Sequence, residues 1–159
     1  MGALVTTSKA ARGPAVRLGM RLASLLPGAV FERRGKKSVE DVIGRARLQG
    51  KKRAVFVHER AGSVSALEFA RVRASNWEWL GSPRKVAGVA YGRGRVGRAV
   101  CCVSFAGAKA APYADLFGVP GPACTDDGSC GGTAVTCAAD GMVFSTADGK
   151  VLELVLANG

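Results

Sequence analysis

The first 72 residues alternate between two hydrophobic periods, and that alternation limits the fold more than any other feature of the chain. Ala3-Leu4-Val5-Thr6-Thr7 is a short run with β-branched residues, ended by Ser8, which is the pattern of a buried strand. Ala15, Leu18, Leu22, Leu25 and Leu26 then recur at helical spacing, with Pro14 in the first turn and Pro27-Gly28 as the stop. Ala29-Val30-Phe31 is a second short strand. Ser38 with Asp41 three residues on has the form of a capping box. It opens a helix that buries Val39, Val42, Ile43 and Ala46 and ends before Gly50. Ala54-Val55-Phe56-Val57 is continuously apolar, as a parallel central strand is. After a turn at Ala61-Gly62-Ser63, the run from Ser65 to Val72 alternates with period two. The order β-α-β-α-β-β predicts an α/β fold: a mostly parallel sheet with an antiparallel hairpin at its end, hence a mixed sheet.

Residues 75–98 carry no clear period. Trp77 and Trp79 either close the core or form an interaction patch, and Val86-Ala87-Gly88-Val89-Ala90 reads as a strand. Further on, residues 99–105 are strand-like, 108–117 helical, and 118–132 a loop rich in Gly and Pro. Residues 133–137, 142–145 and 151–156 complete the sheet. The early pattern recurs. Strand, Ser8, helix and Pro27 are echoed by Val100 to Val103, Ser104, helix and Pro120. The hairpin Val55-Phe56, Gly62, Val64 to Leu67 is echoed by Val143-Phe144, Gly149, Val151 to Leu154. A single domain over 1–159, built of two similar halves at 1–80 and 81–159, is the expectation.

Charge separates the two halves. The chain carries 23 Lys+Arg against 12 Asp+Glu, a formal charge of +11. Residues 1–100 hold 21 of those cations and 6 of the acids, a local charge of +15. A polyanion is drawn to that part of the molecule. The cations gather at Lys9 and Arg12, Arg17 and Arg21, Arg33, Arg34, Lys36 and Lys37, Arg45 and Arg47, Lys51 to Arg53, and Arg93, Arg95 and Arg98. Several sit beside glycines, where backbone amides can approach phosphate, and the arginines add fork-shaped donors. The loops after the first strand and before Ser38 fall at helix N-termini, which favour anions.

Catalysis finds little support. A Ser-His-Asp set would need His58, the only histidine, which reads as a sheet-rim or RNA-facing residue. Asp126-Asp127 lacks the ligand spacing of a calcium loop. Gly92-Arg93-Gly94-Arg95-Val96-Gly97 matches a dinucleotide fingerprint, but a β-rich segment follows it and arginines crowd it. A phosphate-touching basic turn fits better, with a nucleotide- or RNA-modifying enzyme and a protein-interaction module as the alternatives. No metal or cofactor is expected. Five cysteines without a secretory signal suggest a reducing, cytoplasmic setting. Cys101 and Cys102 read as small buried hydrophobes, whereas a Cys124–Cys130 disulfide is left open. No apolar run is long enough for a membrane span.

Leu4-Val5-Thr6-Thr7-Ser8-Lys9 followed by an arginine-bearing helix resembles the opening of Brix-domain proteins. So do Arg34-Gly35-Lys36-Lys37-Ser38-Val39-Glu40-Asp41 before the second helix, and the strand pair Val55-Phe56-Val57 and Leu67-Glu68-Phe69. The chain looks like an archaeal member close to the small-subunit rRNA-processing branch. Lys9 departs from the arginine common in such openings. The resemblance implies two halves, each like the anticodon-binding domain of class II aminoacyl-tRNA synthetases. It also implies a non-enzymatic role in ribosome biogenesis, bound to precursor ribosomal RNA and working with other assembly proteins. The expected RNA contacts are Lys9, Arg12, Arg17, Arg21, Arg33, Arg34, Lys36, Lys37, Arg93, Arg95 and Arg98.

Overall fold

A computed structural model describes residues 2–96, 100–119 and 131–157. The chain runs β1 (Ala3–Thr7), α1 (Gly13–Leu25), β2 (Val30–Phe31), α2 (Val39–Leu48), β3 (Arg53–Arg60) and β4 (Ser63–Val72). It continues through β5 (Trp77–Trp79), β6 (Arg84–Tyr91), β7 (Val100–Ala106), α3 (Ala110–Phe117), β8 (Gly131–Ala138), β9 (Gly141–Thr146) and β10 (Gly149–Leu156). The strands form one mixed sheet in the order β2-β1-β3-β4-β6-β10-β9-β8-β7, with β5 paired to β4 off this path.

Two strand series in that sheet follow one pairing rule. β1 runs parallel to β3, and β4 and β6 follow in antiparallel sense. β7 runs parallel to β8, and β9 and β10 follow in antiparallel sense. The series meet where β6 pairs antiparallel with β10. The strand-helix openings β1-α1 and β7-α3 hold equivalent places, as the sequence echo predicts. The hairpin echo is corrected. The counterpart of β3-β4 by position is β8-β9, not β9-β10, because any antiparallel hairpin repeats an alternating run around a glycine turn.

Burial explains why β1 and β3 read as unbroken apolar runs: both faces are covered. Ala3, Val5, Val55 and Val57 face α1, meeting Leu18, Leu22 and Leu25 in a core that continues through Phe69, Phe117 and Phe144 to Leu152 and Leu154. Leu4, Ala54 and Phe56 face α2, meeting Val42, Ile43 and Ala46 in a separate cluster with Ala70, Val72 and the edge of Trp77. Trp79 stands edge-on to Phe56 at 5.3 Å and to Trp77 at 5.1 Å, so the tryptophan pair closes the rim of this second cluster. Gly19 lets α1 lie close to β2, since a Cβ there would fall 2.5 Å from the Phe31 ring.

The two helices of the first series start differently. α2 has the predicted capping box: the Asp41 amide donates to Ser38 Oγ at 3.1 Å, and the Ser38 amide donates to Asp41 Oδ2 at 2.8 Å. Ser38→Ala removes one partner of this pair, and thermal or urea unfolding should show a loss of about 1 kcal/mol. α1 has no side-chain cap of its own. Glu59, at the end of β3, instead accepts from the Arg12 amide at 3.0 Å and the Ala15 amide at 3.1 Å.

Candidate nucleic-acid interface

The carboxyl ends of β1 and β3, here called the upper end, carry the loops in which the sequence places its first cations. Lys9 and Arg12 follow β1; Arg33, Lys36 and Lys37 follow β2 and lead into α2. Lys9, Arg12, Arg33 and Lys36 are exposed, and Lys37 is partly so. The second loop is a built turn rather than a slack segment. The Lys37 amide donates to Arg34 O at 3.1 Å, Arg34 Nε donates to Lys37 O at 3.0 Å, and Gly35 takes a left-handed φ of 57°. Below it, Thr6 Oγ1 donates to the Glu32 carbonyl at 2.6 Å and fixes the loop to β1.

Two acids anchor this end. Glu32 lies 3.2 Å from Lys37 and 3.3 Å from Arg45. Partial burial works against its charge, but the hydrogen bond and charge of Lys37, with Arg45, outweigh it and hold the carboxyl below its ordinary value. Asp41 is also held low, first by the Ser38 amide and then by the Ser38 hydroxyl, with Lys37 and Lys9 adding their charges. The expectation that helix N-termini favour anions is narrowed. The loops do lie at those ends, but Glu59 occupies the Arg12 and Ala15 amides, and Ser38 and Asp41 satisfy each other. The side chains are therefore the main groups left for an anion at this end.

Arg34 sits apart from its neighbours in the loop. It is 9% exposed, with its guanidinium 5.5 Å above the Phe56 ring, so it shapes the loop from beneath instead of facing solvent. A second group lies along α1 and β6. Arg17 stacks over the Tyr91 ring at 4.0 Å. Burial raises the Tyr91 hydroxyl above its ordinary value, and the charges of Arg17 and Arg21 oppose that rise. The chain then passes through Gly92 and Gly94, whose amides donate to Val151 O and Lys150 O at 2.9 Å each, and exposes Arg93 and Arg95. A Cβ on Gly92 or Gly94 would collide with the β10 backbone. Those glycines therefore serve a close strand approach, and β7, not a helix, follows them. Tyr91 carried no sequence signal, because it closes a strand in the stretch without a clear period. Arg98 and Gly97 lie outside the described residues.

Among the predicted contact residues that are described, Lys37 alone forms an ion pair with a carboxylate. The other cations paired with acids are Arg45, Arg53, Arg71, Arg73 and Lys150, none of them a predicted contact. The remaining chemistry is sparse. His58 Nε2 lies 3.0 Å from Glu68 at the sheet rim. No group of three potential metal ligands occurs among the described residues, and none of their helices is long and apolar enough to cross a membrane. Asp126, Asp127, Cys124 and Cys130 lie outside them. Cys101 is exposed and Cys102 partly so, against the buried reading, since they sit on the last strand of the sheet. Cys137 is buried, which pushes its thiol up.

No protein-family model matches the chain, and no curated protein is similar to it in sequence. Solved structures are similar over nearly their whole length. The probable ribosomal biogenesis protein from Aeropyrum pernix K1 superposes with a TM-score of 0.72 at 22% identity, over 99% of this chain and 96% of that one. Mil, an archaeal Imp4-like protein, superposes at 0.66 and 19% identity, over 98% of this chain and 97% of that one. This chain shares the fold of both. In that fold two of the stretches that carried the resemblance meet at one place. Lys9 leaves β1 and the run from Arg34 to Asp41 enters α2, side by side at the upper end of the sheet.

Proposed function

We propose that this chain is a non-catalytic ribosome biogenesis factor of the Brix type that binds precursor ribosomal RNA during processing and subunit assembly in the cytoplasm. Lys9, Arg12, Arg33, Lys36 and Lys37 at the upper end, Arg17 and Arg21 on α1, and Arg93 and Arg95 after β6 make the phosphate contacts, with Arg98 next to them in sequence. Arg34 holds the loop that presents its neighbours. The first half (1–80) supplies most of the cations, and the second (81–159), near neutral with seven Lys+Arg against six Asp+Glu, is the side left for assembly proteins. The observation that carries this reading is that, among the described residues, Lys9, Arg12, Arg17, Arg33, Lys36, Arg93 and Arg95 are exposed, and of the proposed contacts only Lys37 pairs with a carboxylate. The names of the two similar structures, a probable ribosomal biogenesis protein and an Imp4-like protein, support the same role.

Phosphate-led binding has a salt signature. Each neutralised phosphate releases counterions, so about six contacts give a slope of log K against log salt near −4 to −5. Fluorescence anisotropy with a structured rRNA fragment, titrated from low to physiological salt, measures it. A flat dependence would remove the electrostatic basis of the proposal.

A further inference from the structure

The opposite, lower end of the same sheet holds cations that the upper-end site does not use. A cleft of about 450 Å³ opens there, lined by Arg47, Lys51, Lys52, Arg53, Arg71 and Arg73. Hairpin register sets Arg53 directly across from Arg71. Like charges in that relation repel; one acid bridges this pair, and a second bridges Arg71 to Arg73. Asp115 of α3 reaches Arg53 at 2.8 Å and Arg71 at 3.3 Å, while Glu78 takes Arg71 at 3.1 Å and Arg73 at 2.8 Å. Six cations against two carboxylates leave a formal excess of +4 around one cleft. The carboxyl end of α2 accounts for little of it, because a helix end carries only about half a charge.

The donors are also poised. Arg47 Nε donates to Arg73 O at 2.7 Å, which fixes the guanidinium while its two terminal nitrogens enter no hydrogen bond among the described residues. Lys51 Nζ donates to Gly28 O at 2.6 Å, a neutral acceptor that leaves its charge uncompensated. Lys52 is exposed, and its ammonium meets no partner among the described residues. A planar fork beside two ammonium groups suits phosphate oxygens. β3 runs from Arg53 in this cleft to Arg60 at the upper end, a span of about 23 Å at the usual rise per residue.

We propose that this lower cleft is a second phosphate-binding site and that it takes the backbone of a second RNA segment, so that the chain bridges two segments across the length of β3. The inference rests on the RNA-binding reading of the upper end. The test uses the full chain with two short RNA hairpins, one carrying a donor dye and one an acceptor, with stoichiometry and energy transfer read at saturation. Two hairpins per chain and clear transfer are expected. Lys52→Glu combined with Arg47→Glu should leave one hairpin, abolish transfer, and change upper-site affinity less than about twofold. Lys52→Glu alone, at an exposed side chain whose ammonium has no hydrogen-bond or ion-pair partner among the described residues, should lower second-site affinity several-fold with no change in melting temperature, which separates binding from folding. One hairpin on the unaltered chain, lost on charge reversal at the upper end, overturns the cleft proposal and leaves the upper-end reading standing. No hairpin at all overturns both. Millimolar inorganic phosphate that protects the cleft lysines from acetylation, on a chain that still takes only one hairpin, reassigns the cleft to a small anion and overturns its RNA assignment.

Discussion

Changing Lys9, Arg33 and Lys36 together to glutamate should weaken RNA binding by at least 100-fold near physiological salt while leaving the melting temperature within a degree or two. The two halves of that expectation have separate grounds. All three residues are exposed. None of their side chains makes an ion pair or hydrogen bond among the described residues, so their loss removes no such contact and only the small pull of Lys9 on exposed Asp41 goes with it. Each charge-assisted phosphate contact is worth on the order of 1–1.5 kcal/mol after exchange with water. Three of them together reach about 3–4.5 kcal/mol, or two to three decades of affinity, before the repulsion of the new carboxylates is added. The salt slope should also become shallower by about 2–3, close to one per lost contact. Because phosphate contacts carry no sequence information, the weakening should be uniform across RNA sequences of similar shape. Anisotropy titrations at several salt concentrations measure both quantities. A change under threefold would place the RNA elsewhere. Arg34→Glu is the contrasting variant: its guanidinium is buried over Phe56, so the first loss should be in stability.

Legibility in the sequence followed the range of the interactions involved. β1 and β3 are recognisable because helices cover both of their faces, which forces every position to be apolar: Ala54, Val55, Phe56 and Val57 are all fully buried. α1 and α2 are recognisable because each buries one stripe and stops at a proline or glycine signal. β5 resisted reading, and β6 was legible only as the strand Val86 to Ala90 at its middle. β5 is three residues long. β6 crosses from one strand series to the other and pairs with β4 over only two residues, so it shows no steady alternation of burial. The candidate interface divides in the same way. Exposed cations next to glycine turns could be placed from sequence, since a local turn decides their exposure. The capping of α1 by Glu59 could not, because 44 and 47 residues separate the partners. The lower cleft was equally hidden. Lys51, Lys52 and Arg53 form a visible run, but the register of β3 on β4 alone brings Arg71 and Arg73 to it, and alternation by itself does not fix register.

Phe117→Ala should cost about 3–5 kcal/mol, the usual range for removing a fully buried phenylalanine. Phe117 closes α3 and is 1% exposed. It stands edge-on to Phe69 of β4 at 5.2 Å and to Phe144 of β9 at 6.2 Å, and stacks against Phe105 of β7 at 6.2 Å. One ring thus touches both strand series, and no single neighbour can fill the space it leaves. For a domain of this size the loss corresponds to a fall in melting temperature of roughly 6–20 °C, out of a total stability of about 5–15 kcal/mol. The transition should stay single, because α1, α3 and the inner faces of both series share one continuous cluster. Phe105→Ala, at a partly exposed ring, should cost less. Calorimetry together with urea unfolding followed by fluorescence tests both statements. A split transition, or a shift under 2 °C, would mean that the two series do not fold through this ring. The same coupling bears on binding. Lys9, Arg33 and Lys36 belong to the first series, whereas Arg93 and Arg95 lie along β10 of the second. A rigid shared core keeps these groups at a fixed separation, so the chain can select a folded RNA by the spacing of its phosphates.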